Sequence, residues 1–464
     1  MFIALSLFLP YLFGLGYLVT SAAPGMINAT LDRKQDTLRM IAVILLTGVL
    51  SDYLLVLVLG KLGFSLVIGS VLALIGLSLA LFTSHIKVFR FLKNKWIAVC
   101  VVFYLTLLYS RYIIFEPLSA WDARSIWFFH GKIIFYDQAL SSSAGWTDSA
   151  IQFSRIHIGY PKLIAVLAAQ FAHVTGFWNE YFPKASLLAL LIPALFAIQS
   201  FIRFGQISFF YLLSCLLFSL SWWLWNGYMD GYLALYGALS MLFFGRWLEQ
   251  RDNGDLYAGI VCLGIVVNLK NEGLLFVLTT TFVVIALRYA RSEEYAPEIS
   301  ILRDHGTWSL IVLSSIGLII WYLLKWHWGI NSESFIQLNR IPVRLADGSV
   351  KLILETMLLK DGVAKAFVFF LIVLFVAKRF HLRMPLSSWL ALLISFLYFS
   401  GIFTVYLATS LDLVWHLSTS SGRTMLPVLL GIFSATFLLV KSIESSDDKQ
   451  SIPSQDALIG RRQN

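Results

Sequence analysis

Apolar stretches about twenty residues long, the length that crosses a bilayer core, recur along this chain with short polar breaks between them. They lie near residues 2–20, 38–60, 63–83, 96–115, 184–202, 207–225, 230–247, 256–270, 273–289, 307–325, 363–380, 386–408 and 424–441. The pattern predicts an all-α polytopic membrane protein with about thirteen transmembrane helices, within a range of 11–14. The longest polar interval of the first half, 116–183, is not plain loop. Residues 122–136 set Ile126, Phe129, Ile133 and Ile134 on one side at helical spacing, and 162–174 is a short apolar segment with Lys162 and His173 at its edges. Both read as helices lying in the membrane interface.

Composition agrees with the pattern. A chain of 464 residues that is 58% hydrophobic and 13% charged cannot cover a soluble globule with polar surface. The net charge of +9 in such a chain reports orientation and lipid headgroups, and nucleic acid is excluded as a partner. Cys100, Cys215 and Cys262 all fall in apolar runs without pairing or metal spacing. Residues 1–20 carry no basic flank and read as a retained span.

Charge then fixes a topology. Lys87, Arg90, Lys93 and Lys95, and again Lys378, Arg379 and Arg383, form basic short loops without acids, and such loops stay cytoplasmic. Alternation from these anchors puts Arg33, Lys34, Arg39, Arg203, the 246–255 loop, 288–304 and the tail on the same side. The opposite, extracytoplasmic side receives 116–183, 226–230, 270–273, 326–362 and 409–423. The expected division is a three-helix segment over 1–95, a catalytic core over 96–441 with its extracytoplasmic loop at 116–183, and a disordered cytoplasmic tail over 442–464. The Ser- and Asp-rich composition of the last stretch carries that final reading.

Polar residues with chemical potential gather on the extracytoplasmic side. Asp122, flanked by Trp121 and Trp127, opens an interfacial helix, and Arg124 two residues on either holds it in place or binds substrate; Glu116 ends the preceding span. His157, Tyr160 and Lys162 surround Pro161, whose fixed φ suits a helix start. Asp230 follows a turn containing Gly227 and Gly231, which serves structure as well as it serves catalysis. Lys270 and Glu272 interrupt apolar sequence, either as an ion pair or with Lys270 gripping a phosphate. His416 and Arg423 flank Ser418 and Thr419 at the start of the last span, where Arg423 either snorkels or binds a lipid phosphate. Asp52, inside the second span, has no partner visible in the sequence.

This series, an acidic motif after a span, interfacial helices, Tyr160-Pro161, Gly227-Tyr228-Met229-Asp230, Lys270-Asn271-Glu272-Gly273 and Trp415-His416 through Arg423, resembles the GT-C integral-membrane glycosyltransferases. It is most similar to the branch containing protein O-mannosyltransferases and the lipid A aminoarabinose transferase, over roughly residues 96–441. The resemblance implies transfer of a sugar from a polyprenyl-phosphate donor to a hydroxyl acceptor at the outer face of the inner membrane. Asp122 is then the general base, Lys270 and Arg423 steady the leaving lipid phosphate, and His157, Tyr160 and Lys162 orient donor or acceptor. Here Lys162 follows Pro161, whereas the aminoarabinose transferases usually carry a lysine before the proline, and three spans precede the core. Asp122, Asp148 and His157 offer ligands for a divalent metal, but their spacing fits no specific site, so no metal is expected. A transporter, lipid flippase or glycan polymerase is the alternative; no internal repeat favours transport.

Overall fold

The computed structural model describes residues 2–22, 37–140, 157–202, 204–290, 304–330, 336–379 and 381–450. Of the residues named above, Arg33, Lys34, Asp148, Arg203 and the end of the tail from 451 lie outside these. So do the side chains of Lys87, Arg90 and Lys93.

Among the described residues the protein is all-helical, 84% helix without strands, and it is a multi-pass membrane protein. The helices are α1 (Phe2–Ala22), α2 (Thr37–Leu59), α3 (Leu62–Phe115), α4 (Phe128–Asp137), α5 (Leu163–Thr175), α6 (Leu188–Gln199), α7 (Ile207–Ser214), α8 (Ser221–Trp225), α9 (Asp230–Gln250), α10 (Asn253–Leu269), α11 (Glu272–Ala290) and α12 (His305–His327). They continue as α13 (Arg340–Ala346), α14 (Ser349–Leu354), α15 (Val363–Arg379), α16 (Leu386–Ala408), α17 (Leu413–Thr424) and α18 (Leu426–Gln450). Three π-helical segments, Ala123–Trp127, Cys215–Leu220 and Glu355–Lys360, join or precede them.

Every run expected to span is helical, but only eight described helices are long and apolar enough to cross a membrane. These are Thr37–Leu59, Leu62–Thr83, Lys95–Phe115, Ile207–Trp225, Glu272–Ala290, His305–His327, Leu386–Ala408 and Leu413–Glu444. Of the five expected runs outside this set, two have a physical reason in their burial. α6 and α10 are buried along nearly their whole length, so protein neighbours surround them and they need neither the length nor the outward apolar face that lipid demands. α3 contains two of the expected spans. Lys95 leaves helical geometry (φ −126°, ψ 18°) between them.

The centre of the bundle is α2, α6, α9 and α10, with α16 and α18 packed on α9 and with α12 against α2 and α10. α1 lies on α2 and α3, and there backbones meet closely: a β-carbon on Gly48 would collide with the Leu12 carbonyl. The first three expected spans are thereby joined to the core through α2.

The 116–183 interval departs from expectation in one respect. Its two helices form where the spacing put them, but α5 has no exposed polar face: Leu163 to Ala172 are all buried, against α4, α2 and the 3-10 turn Pro183–Leu187. Of the four residues expected on one side, Ile126 and Ile134 are buried, together with Ala123, Trp127, Phe128, His130 and Gly131, while Phe129 and Ile133 are half-buried.

Asp52 gains partners from far along the chain. Its Oδ1 accepts from the Tyr11 hydroxyl at 2.6 Å and from Gln170 Nε2 at 2.8 Å, fastening α1 and α5 to α2.

Candidate active site

α9 runs from Asp230 to Arg246 over sixteen residues, and α10 from Asp255 to Lys270 over fifteen, so each pair stands about 22–24 Å apart along its helix. Two ionic clusters therefore occupy opposite ends of the bundle. At the first, Arg39 donates to Asp252 at 2.9 Å and to Asp255 at 2.6 Å, while Arg246 donates to both oxygens of Asp255 at 2.5 and 2.7 Å. Asp252 also caps α10 by accepting from Gly254 N.

The second cluster brings together Asp122, His157, Tyr160, Asp230, Lys270, Glu272 and Arg423 of the predicted residues. Arg423, at the end of α17, donates through Nη1 to Asp122 Oδ2 across 301 positions of sequence. Lys270, between α10 and α11, reaches Asp230 at 2.8 Å and Glu272 at 3.0 Å. The ring of Tyr160 lies 6.0 Å from Lys270 Nζ and 5.0 Å from the ring of Trp127, and His157 packs edge-on against it at 5.6 Å. Three carboxylates thus face two cations. Lys270 and Asp230 are 3% and 4% exposed, whereas Asp122, Arg423 and Glu272 are 14%, 22% and 28% exposed, so the cluster opens on one side.

Local sequence explains how each group is held. Asp122 stands directly before the π segment Ala123–Trp127, an element found frequently at functional sites. Asn226 Oδ1 accepts from Tyr228 N at 2.7 Å and Gly227 takes φ +93°, making the turn that aims Tyr228 and Asp230 inward. A β-carbon there would come within 2.8 Å of Ala123 Cβ, so this turn and the Asp122 segment pack on each other. Arg423 lies over the Tyr228 ring at 5.9 Å.

Electrostatics follow from this packing. Burial alone would pull Lys270 down, but Asp230 and Glu272 outweigh it and hold the ammonium well above its ordinary range. Burial, reinforced by Glu272, raises the Tyr160 hydroxyl, and Lys270 and Arg423 oppose that rise. Tyr228 is raised by burial and by the Asp122 charge. Asp230 Oδ2, Glu272 Oε2 and Arg423 Nε are buried and accept or donate no hydrogen bond.

Two expectations change. Of the two readings of Arg124, holding Asp122 fails: the side chain beside Asp122 is Arg423, and Arg124 is exposed and makes no ion pair with it. Lys162 does not join the cluster: it is fully buried, donates to Ile158 O at 2.7 Å, stands 3.1 Å from His130 Nδ1 and lies over Trp321. Burial first, then the nearby Lys325 charge, depresses it well below the usual lysine range. His416 is engaged at the flank, with Nδ1 3.0 Å from Thr409 Oγ1 and its ring on Tyr406. Lys270 with Glu272 is an ion pair, as one of the two readings held, and Asp230 is its second partner.

Sequence reasoning passed over Tyr228 and Asp361. The latter sits within reach of α17 beside Ser421 and Gly422, with Oδ2 unpartnered. A Lys360-Asp361-Gly362 turn just before an apolar run was the available signal. Among the described residues no three His, Cys, Asp or Glu side chains form a group that could hold a metal.

No protein-family model matches this chain, and neither a curated protein nor a solved structure matches it significantly.

Proposed function

We propose that the protein is a membrane glycosyltransferase that moves a sugar from a polyprenyl-phosphate donor to a hydroxyl acceptor at the extracytoplasmic face of the cytoplasmic membrane. The observation that carries this reading is the gathering of Asp122, Arg423, Asp230, Lys270, Glu272 and Tyr160, drawn from five separate stretches, into one ionic cluster at one end of a helical bundle. Intramembrane or membrane-edge ionisable groups are expensive and mark functional sites.

In the proposed reaction Asp122 takes the proton of the acceptor hydroxyl as that oxygen bonds to the anomeric carbon. The bond from that carbon to the phosphate oxygen breaks with its electron pair, and the lipid phosphate departs as a dianion. Both cations are already paired with carboxylates, which bears on how they serve the leaving group. Protonation of Asp122 removes the charge that holds Arg423, and its planar guanidinium then turns to the phosphate. Lys270 stays locked between Asp230 and Glu272 and acts through its field. Exposed aromatics at this end, Trp121 and Trp415 among them, suit a membrane-interface belt.

The test is sugar transfer by purified protein offered a panel of polyprenyl-phosphate sugars, with consumption of donor read by mass spectrometry. Wild-type protein consumes one of them and Asp122→Asn does not, at equal yield of folded protein. Full activity in that variant overturns the mechanism, and no consumption of any donor by the wild type overturns the function.

A further inference from the structure

Both cations of the open cluster have an aromatic ring within cation–π range as well as a carboxylate. Lys270 Nζ lies 6.0 Å from the Tyr160 ring, and Arg423 Cζ lies 5.9 Å from the Tyr228 ring. Lys270 is gripped twice over, by Asp230 and by Glu272. Among the described residues Arg423 pairs with one carboxylate, Asp122, and its Nε makes no hydrogen bond. The two rings therefore carry unequal weight. In the reaction proposed above, Asp122 takes up a proton and loses the charge that holds Arg423 just as the phosphate begins to leave.

Tyr228 is placed to act on both members of that ion pair. The rings of Trp222 and Trp223 stand 5.8 and 5.6 Å from its own and 4.8 Å from each other, so two indoles as well as the Asn226-Gly227 turn hold the phenol. Its hydroxyl oxygen accepts from the backbone N–H of Asp122. The helical run there begins at Trp121, and donors in a first turn lack an acceptor within their own helix. One side chain thus touches the base's backbone through its hydroxyl and the guanidinium through its ring face. Burial and the Asp122 charge keep the phenol protonated well above neutral pH, so it has no use as a second base.

We infer that Tyr228 is a positioning residue of the proposed transfer, its ring face keeping Arg423 beside Asp122 while that carboxylate is protonated. The inference rests on the transfer reaction proposed above and adds what holds the guanidinium when its ion pair is broken.

The experiment uses the full-length protein in nanodiscs and the polyprenyl-phosphate sugar that the wild type consumes. Tyr228→Phe keeps the ring face and drops the hydroxyl, and its kcat stays within about threefold of wild type. Tyr228→pentafluorophenylalanine, introduced by stop-codon suppression, keeps the shape of that phenyl ring and reverses the polarity of its face. Its kcat falls by about tenfold with KM for the donor unchanged, because the interaction is needed only as the phosphate leaves. Tyr228→4-fluorophenylalanine falls between the two, and serves should the fully fluorinated protein fold poorly. In an Arg423→Met background the phenyl and fluorinated variants have equal kcat. Equal kcat with Arg423 present, or a difference that survives its removal, overturns the inference and leaves the enzyme standing. If the wild type consumes no donor, the enzyme reading falls and the positioning role falls with it. Thermal unfolding of the same variants then decides the contact alone: a lower midpoint for the fluorinated ring that Arg423→Met abolishes supports the grip, and equal midpoints remove it.

Discussion

The two ionic clusters at the ends of α9 and α10 are made from the same kinds of side chain and do different work. Around Asp255 two arginines meet two aspartates, charges balance, and the carboxylate is gripped by Arg39 and Arg246 together. That network staples the ends of α2, α9 and α10. Around Lys270 and Arg423 three carboxylates meet two cations, and three buried polar atoms keep unused hydrogen-bonding capacity. What separates the two is charge and exposure: the first is balanced and nearly closed to solvent, and the second carries one carboxylate in excess and leaves Glu272 28% exposed.

Asp122→Asn separates the two most sharply: transfer falls by about 10²–10⁴-fold while the thermal midpoint in detergent hardly moves. Lys270→Met leaves Asp230 and Glu272 without a cation and costs about 3–5 kcal/mol, and adding Asp230→Asn recovers part of it in the same unfolding assay. Arg246→Met at the other end costs less, about 1.5–3 kcal/mol, because Asp255 keeps Arg39, and activity per folded molecule is unchanged. Arg423→Lys keeps the charge and loses the fork, lowering kcat by about tenfold with stability nearly intact.

The smallest effect is at Asp361. Burial raises its carboxyl, so the folded protein holds that proton to higher pH than the unfolded chain, and stability declines as pH climbs above the ordinary carboxylate range of about 3.9. Asp361→Asn is consequently the more stable form at neutral pH and equals the wild type in acid, as thermal unfolding across pH reads out. Equal midpoints at both pH values dissociate Asp361 from the open cluster's flank.

Much of this was legible beforehand. The apolar runs announced the helices, because hydrocarbon tolerates no unpaired backbone and leaves helix as the form for each. The isolated charges at Asp122, Asp230, Lys270 and Arg423 announced a site, because charges so placed need partners. What failed had local causes. The reading of 122–136 counted only apolar residues and so passed over His130, which shares the face of Ile126 and Ile134, and the largely apolar 163–172 stretch looked the same whether lipid or protein surrounded it. Whether Arg124 holds Asp122 or binds substrate was open in the sequence; two residues apart on a helix side chains do not face each other, and Arg423 takes the place beside Asp122.

The sequence by itself determined a helical membrane protein and which side chains are too costly to be idle there, since both follow from transfer energies that each residue carries with it. Partnership was decided only by the tertiary structure. Arg423 with Asp122, Lys270 with Asp230 and Gln170 with Asp52 are separated by 301, 40 and 118 positions, and such contacts exist only once the packing of buried helices fixes which faces meet.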